Sequence, residues 1–357
     1  MEKYSQFRDK GTAIAPFLPV PPAPVSLAWA PVHVFLFLVR LPFVLSLSVL
    51  SFGLLEWLPV GGTVRYAVLW ALLGATGVWW VDFQVDGVKR GKLSAAQQHL
   101  PHPGTIIASS FTSPLDPLYL AGIFQPIFTR SHPTTRRVER ITLLRAILLA
   151  FAPPSILPVD DSKLVTLASL VAANPHSIIC VFPECTTTNG RGILPLSPSL
   201  LSASGDTKIY PVNLRYTPQD VTTPVSGGYA SWLYRLLSKP SHQMRVRVAM
   251  RVYNSASIDS PAKKRGVDEA AASGYDGGVF DSAEMRNGAL AQDVLGMEVS
   301  TGETEGEAEA DGEVSAQEQR VLDRVAEDLA RLGRVKRVGL DVGDKIEFLK
   351  VWLRRRR

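Results

Sequence analysis

The sequence predicts an α/β domain preceded by an N-terminal hydrophobic helical hairpin, on three observations. Beyond residue 100, short apolar runs rich in β-branched residues alternate with stretches of helical periodicity, the pattern of strands and helices wound into one sheet. Two polar clusters, Ser109–Asp116 and Val181–Gly192, each lie at the end of such an apolar run. Ahead of both, residues 32–81 hold two apolar runs almost free of charge. A chain of 357 residues has room for one large domain of this kind with membrane elements and a tail.

The first apolar run, Val32–Leu55, is interrupted by His33, Arg40 and a few serines, and Pro42 is expected to kink or break its helix. The second, Tyr66–Val81, is uncharged and closes on Trp79 and Trp80. The turn-forming Pro59-Val60-Gly61-Gly62 separates them, so both ends of the hairpin lie on one side of a membrane. Lys3, Arg8 and Lys10 before it and Lys89, Arg90 and Lys92 after it place those ends, and the rest of the chain, in the cytosol. A full span takes roughly 20 residues. The second run is shorter, so a monotopic hairpin competes with a spanning one, and two buried helices of a soluble protein are the third possibility. The Pro-rich stretch 16–24 argues against a signal peptide, which needs a basic segment leading into a short apolar core.

Composition narrows the partners. The apolar fraction is 46%, and the mean hydropathy of +0.10 suits some membrane segment but not a polytopic transporter. Asp268–Glu318 holds 14 acidic side chains and one basic one, Arg286, a net −13, which leaves +18 on the remainder of a chain whose total is +5. Such an excess attracts nucleic acid, an acidic bilayer or a phosphate-bearing substrate. The hydrophobic N-terminus favours the last two, and no basic–aromatic module of a nucleic-acid binder is visible. Cys180 and Cys185, the only cysteines, fit neither a disulfide framework nor a zinc site; both read as structural, in a reducing compartment.

Taken in order, the expected strands are Thr105–Ala108, Ser155–Val159, Ser177–Phe182, Ile209–Leu214 and Arg245–Val252, and the expected helices Asp116–Phe124, Glu139–Phe151 and Ser162–Ala173. Residues 267–319 mix Gly, Ala, Ser and Glu with few large apolar side chains and read as a disordered acidic insert, with a docking tail as the alternative. Helical periodicity resumes at Glu318–Arg331, with Val321, Val325 and Leu329 on one face. The chain then runs through Phe348, Leu349, Val351, Trp352 and Leu353 into four arginines, an interfacial membrane contact or a solvated tail. The resulting division is a polar, Pro-rich segment (1–30), the hairpin (31–82), the α/β domain (83–260), the acidic insert (267–319) and a C-terminal helix with a basic amphipathic tail (320–357).

The chemistry gathers in the two polar clusters. Ser109-Ser110-Phe111-Thr112-Ser113-Pro114-Leu115-Asp116 lies between a strand and a helix, and Val181-Phe182-Pro183-Glu184-Cys185-Thr186-Thr187-Thr188-Asn189-Gly190-Arg191-Gly192 follows a strand with a glycine-containing turn. Backbone amides, hydroxyls and an arginine in one loop suit an oxyanion or phosphate cradle, although either loop alone reads equally well as a polar turn.

Together these blocks resemble those of the glycerol-3-phosphate and lysophospholipid acyltransferases, Asn-His-x-Ser-x-x-Asp and Phe-Pro-Glu-Gly-Thr. Phe182, Pro183, Glu184 and Thr186 match the second, with Cys185 in place of glycine, and Thr187-Thr188-Asn189 is similar to the lysophospholipid branch. Ile209-Tyr210-Pro211-Val212 resembles the family's late strand ending in proline, and Trp79–Gly91 resembles the fungal lysophosphatidic acid acyltransferases of the endoplasmic reticulum and lipid droplets. Ile156-Leu157-Pro158-Val159-Asp160 occupies the place of a block that usually carries an arginine, and contains none. The resemblance implies a glycerol-3-phosphate acyltransferase-like mixed sheet flanked by helices, and an enzyme that esterifies a lysophospholipid, most directly lysophosphatidic acid. Acyl-CoA is then the co-substrate, with no bound cofactor or metal, at the endoplasmic reticulum membrane or lipid droplet.

Aligning Asp116 with the family aspartate puts Phe111 where the catalytic histidine stands and Ser110 where asparagine stands. The histidine takes the acceptor's hydroxyl proton and the aspartate orients it; phenylalanine does neither. His102, folding back from its Pro-rich connector, Asp116 itself with a pKa raised by burial, or the substrate's own phosphate remains as base, or activity is lost and the fold serves as a silent lipid-binding scaffold. By the same resemblance Ser110, Phe111, Thr112, Ser113, Phe182, Pro183, Glu184, Thr186, Thr187, Gly190 and Pro211 shape the substrate site, and Arg191 pairs with the lysolipid phosphate.

Overall fold

The computed structural model describes residues 2–22, 26–55, 62–88, 99–158, 160–255 and 314–354. Pro59, Val60 and Gly61 of the expected turn, Lys89, Arg90, Lys92, Val159, the acidic insert as far as Glu313, and Arg355–Arg357 lie outside them.

Helix α1 (Ala30–Val49) starts with proline in its first turn, where the missing N–H has no intrahelical partner to lose, runs through Pro42 and continues as a π-helical turn to Leu54. At 25 residues, Ala30–Leu54 is the one helix among the described residues long and apolar enough to cross a membrane. It buries only Val44, and Phe35, Leu38, Phe43 and Val49 are each more than half exposed. Helix α2 (Gly62–Ala75) packs beside it and turns Leu69, Leu72 and Leu73 into the core. The second apolar run therefore divides. After Gly77, strand β1 (Val78–Val85) begins, so Trp79 and Trp80 stand exposed on a strand that runs across residue 82 rather than at a helix end. Gly77 has φ +86°, and a Cβ there would lie 2.9 Å from the Arg40 guanidinium, two reasons for glycine at this break.

The remaining elements are β2 (Ile106–Ser109), α3 (Leu115–Phe124), β3 (Ile127–Ser131), β4 (Val138–Ile141), α4 (Leu143–Leu149), β5 (Leu164–Val165), α5 (Leu167–Ala173), β6 (Ile179–Val181), β7 (Gly192–Ile193), β8 (Ile209–Thr217), α6 (Tyr229–Leu237), β9 (His242–Val248), α7 (Ala316–Gly333), β10 (Lys336–Arg337) and α8 (Val342–Arg354). One mixed sheet has the order β1-β9-β8-β2-β6-β3-β4-β5, and β7 pairs with β10. Alternate residues of its strands enter two cores. Ile107, Cys180, Tyr210 and Val212 meet α2, α3, α4 and α6 on one face, and Ile106, Ala108, Ile179 and Ile209 meet α5 and α7 on the other. Arg40 ties α1 to this body by donating to the carbonyls of Leu237, Lys239 and Pro240 at the end of α6.

Three expected elements differ. Glu139–Phe151 is not one helix: Val138–Ile141 pairs antiparallel with β3, and Thr142 then caps a shorter α4 by accepting from the Arg145 N–H. Ser162–Ala173 likewise splits into a 3₁₀ turn, the short β5 and a Thr166-capped α5. Ser155–Val159 forms no strand over its described residues; hemmed by Pro153, Pro154 and Pro158, it leaves Ile156 and Leu157 exposed. The late strand starts three residues earlier than expected, at His242.

In the aromatic C-terminal stretch Phe348 and Leu349 pack into the protein instead of facing a membrane, and Arg355–Arg357, the end of the basic tail, lie outside the described residues. Phe348 is fully buried with Leu349 against Phe7, Phe17 and Leu194, and its ring meets those of Tyr4, Phe7 and Trp352. Phe348→Ala is expected to destabilise the fold by about 3–5 kcal/mol, read from denaturant unfolding of the detergent-solubilised protein.

Candidate active site

Strands β2 and β6 pair in parallel, with Ile106, Ile107 and Ala108 opposite Ile179, Cys180 and Val181. Both polar clusters therefore leave the sheet from the same end of adjacent strands, where open α/β sheets place their ligands. Thr188 N–H donates to the Phe111 carbonyl at 3.1 Å, and the Phe111 and Phe182 rings stack with centroids 4.5 Å apart. Glu184 bridges the loops: Oε1 accepts from Phe111 N–H at 3.4 Å and Oε2 from Leu194 N–H at 3.2 Å.

Asp116, in the first turn of α3, is fully buried. Its Oδ2 accepts from Thr112 N–H (2.6 Å), Thr112 Oγ1 (3.2 Å) and Ser113 N–H (3.0 Å), and its Oδ1 accepts from Tyr216 Oη on β8. Four donors, three of them on Oδ2, hold the loop in shape around the carboxylate, and full burial keeps it off the surface of the cleft. Burial pushes its pKa up to about 6 against the opposite pull of the Tyr216, Thr112 and Ser113 bonds. Ser110 Oγ accepts from Leu214 N–H, and Ser113 Oγ donates to the Val221 carbonyl, so both anchor the loop to its surroundings.

A narrow cleft with about 20 Å³ of room opens beside the stacked rings, lined by Phe111, Thr129, Arg130, Ser131, Leu149, Ala152, Pro153, Pro154, Phe182, Cys185 and Thr186. Of the expected site residues, Phe111, Phe182 and Thr186 line it. Glu184 and Thr187 lie buried behind it. Gly190 sits at φ +70°, where a Cβ would come within 3.6 Å of the Thr112 methyl, and the Pro183 carbonyl accepts from Ser197 N–H. Pro211 is held within β8 opposite Ala108, and Arg191 is exposed at the surface rather than on the cleft. His102 is not brought to the loop. It precedes β2 while Asp116 follows it, so the whole strand, roughly 13 Å at ~3.3 Å per residue, separates them, and its ring meets Lys208 Nζ and the Pro103 carbonyl instead. All six histidines are described, and none lines the cleft. Cys185 sits at φ +57°, the left-handed conformation that suits the glycine of the resembled motif; burial pushes its thiol up to about 12, which leaves it a poor nucleophile.

Three contributors escaped the sequence. Tyr216 is distant in the chain and carries no motif. Arg130, on β3, lines the cleft and donates through Nη2 to Ser155 Oγ at 2.5 Å. Lys345, on α8, is 1% exposed and donates from Nζ to Thr186 Oγ1 (2.8 Å), the Thr187 carbonyl (2.6 Å) and Thr187 Oγ1 (3.1 Å). Nothing in a run of C-terminal charges marks one lysine as buried. The chain's other end meets the same loop: Asn189 Nδ2 donates to the carbonyls of Ala15 and Leu18.

No protein-family profile matches the chain, and no solved structure matches it significantly. Curated proteins do. A Schizosaccharomyces pombe protein named "Putative lysophosphatidic acid:oleoyl-CoA acyltransferase" is 28% identical over 254 residues, 69% of this chain and 83% of the relative. The chain is similar to fungal lysophosphatidic acid acyltransferases. A Saccharomyces cerevisiae relative, "Lysophosphatidic acid:oleoyl-CoA acyltransferase 1", is 26% identical over 200 residues, 55% of this chain and 61% of that protein. The relationship expected from the two motifs is thus shown, in a chain with the expected mixed α/β sheet behind an apolar N-terminal helix.

Burial pushes Glu184 up to about 8 and pulls Lys345 down to about 7. A carboxyl whose folded pKa is raised binds its proton more tightly when folded, so the folded state loses stability as pH rises from the unfolded value towards 8. Asp116 contributes the same sign only up to about 6, and Lys345 opposes it only above about 7. Between pH 6 and 7 Glu184 pulls stability down with rising pH, while His132 and His242, whose pKa values burial lowers, pull it up. Denaturant midpoints measured across that window are therefore expected to change more favourably with rising pH in Glu184→Gln than in the unsubstituted protein.

Proposed function

We propose that the protein transfers an acyl group from acyl-CoA to the free hydroxyl of a lysophospholipid, with lysophosphatidic acid as the acceptor. The observation that carries this reading is the cleft where the two motif loops meet. Arg130, Ser131 and Thr186 offer donors for a phosphate and Leu149, Ala152, Pro153 and Pro154 an apolar surface for a chain, and the similarity to fungal proteins named for this reaction points the same way. Among the residues lining the cleft the titratable ones are Arg130 and Cys185, neither a base near neutral pH. The acceptor's phosphate monoester, with a second pKa of about 6, then takes the hydroxyl proton as the oxygen attacks the thioester carbonyl. The CoA thiolate leaves and receives that proton. The protein's part is to orient the acceptor and exclude water. Attachment to the endoplasmic reticulum or lipid droplet through α1, with the sheet domain in the cytosol, is part of the same reading and is supported by the apolar surface that this helix leaves exposed among the described residues.

Purified protein is expected to form phosphatidic acid from oleoyl-CoA and lysophosphatidic acid, and Asp116→Ala, which frees the 112–116 loop, to lower kcat by roughly 10²-fold, the scale of a small misplacement. Absence of transfer to any lysophospholipid while lipid binding persists would leave the silent scaffold, the reading that Phe111 favours. Replacing Phe35, Leu38 and Phe43 together by serine is expected to abolish flotation with phospholipid vesicles; retained flotation would refute attachment through α1.

A further inference from the structure

Lys345 stands apart from the other charges of α8. Glu347 and Lys350 face solvent, whereas Lys345 is buried, and a buried ammonium is tolerated only with its protons matched to acceptors. Its three acceptors lie on Thr186 and Thr187. The two hydroxyls differ in the use of their own proton. Thr187 Oγ1 donates to the Thr223 carbonyl at 2.6 Å. Thr186 Oγ1 accepts from Lys345 and donates to no group among the described residues, and Thr186 lines the cleft with Arg130. A hydroxyl whose oxygen accepts a charge-assisted bond becomes a stronger donor through its own hydrogen.

We propose that the Thr186 hydroxyl, polarised from behind by Lys345, forms with the Arg130 guanidinium the cleft's receptor for the phosphate monoester of the acceptor. Lys345 is a positioning residue here: it acts through Thr186 and does not touch the ligand. The assignment rests on the acyl-transfer reading for the identity of the ligand, and it moves the phosphate partner from Arg191, which is exposed, to Thr186 of the motif loop and Arg130 on a strand that carries no motif. CoA also bears phosphates, so the experiment separates the two sources.

Binding of short-chain lysophosphatidic acid, of the matching monoacylglycerol and of CoA is measured by calorimetry on the full-length protein in detergent. Thr186→Val, Lys345→Met and Arg130→Gln are each expected to weaken lysophosphatidic acid binding about tenfold or more, the usual effect of one hydrogen bond to a charged group, while monoacylglycerol binding stays within twofold. Thr186→Val with Lys345→Met together is expected to be no worse than the weaker-binding single variant, because both act through one hydroxyl. Thr186→Ser is expected to bind as the unsubstituted protein does, and Arg191→Ala to change nothing. Unchanged lysophosphatidic acid binding in Thr186→Val, equal weakening of monoacylglycerol, or weakening confined to CoA each overturns the assignment; Thr186→Val decides it even where Lys345→Met does not fold. Turnover is not needed for any of these readings, so a protein that binds in this pattern but transfers no acyl group refutes the enzymatic function and leaves the phosphate site standing.

Discussion

The parallel register of β2 against β6 is the constraint from which the site follows. With Ala108 opposite Val181, the residue after each strand must turn away from the sheet at the same level, and two loops separated by about seventy residues meet. A slip of one residue would turn Cys180 towards the opposite core. The register is held because Ile107 and Cys180 fit among the helices of one face while Ile106, Ala108, Ile179 and Val181 fit against those of the other. A hydrophobic constraint thereby sets a polar geometry.

Three ionisable groups, Asp116, Glu184 and Lys345, are buried behind the cleft, each compensated by local hydrogen bonds rather than by one direct ion pair. Asp116 gathers two backbone N–H groups and two hydroxyls, Glu184 two backbone N–H groups, and Lys345 three oxygens. Such groups contribute little net stability and fix conformation, because any rearrangement leaves a charge without partners. Phe111 fits this arrangement without taking part in it: its ring stacks on Phe182, while only its backbone joins the polar network.

Local signals made much of the fold legible. Strands β2, β6 and β8, helix α3 and the apolar face of α7 stand close to where periodicity and caps put them, because each obeys one period over its length. Two of the failures share a cause: a change of period inside an apolar run. Val138–Ile141 and Leu143–Leu149 read as one helix until tertiary pairing with β3 claims the first part, and Tyr66–Val81 reads as one membrane segment until Gly77 breaks it. The site divides the same way. Phe182, Glu184 and Thr186 were visible in a contiguous motif, whereas Arg130, Tyr216 and Lys345 come from three other elements whose local sequence gives no hint of where they point.

Both ends of the described chain close on one loop, Ala15 and Leu18 through Asn189 and α8 through Lys345. Synthesis proceeds from the N-terminus, so α1 and both motif loops emerge before α8. The loop can close on Ala15 and Leu18 while the buried cation is still missing. Docking of α8, more than formation of the sheet, then sets the moment at which the loop is locked.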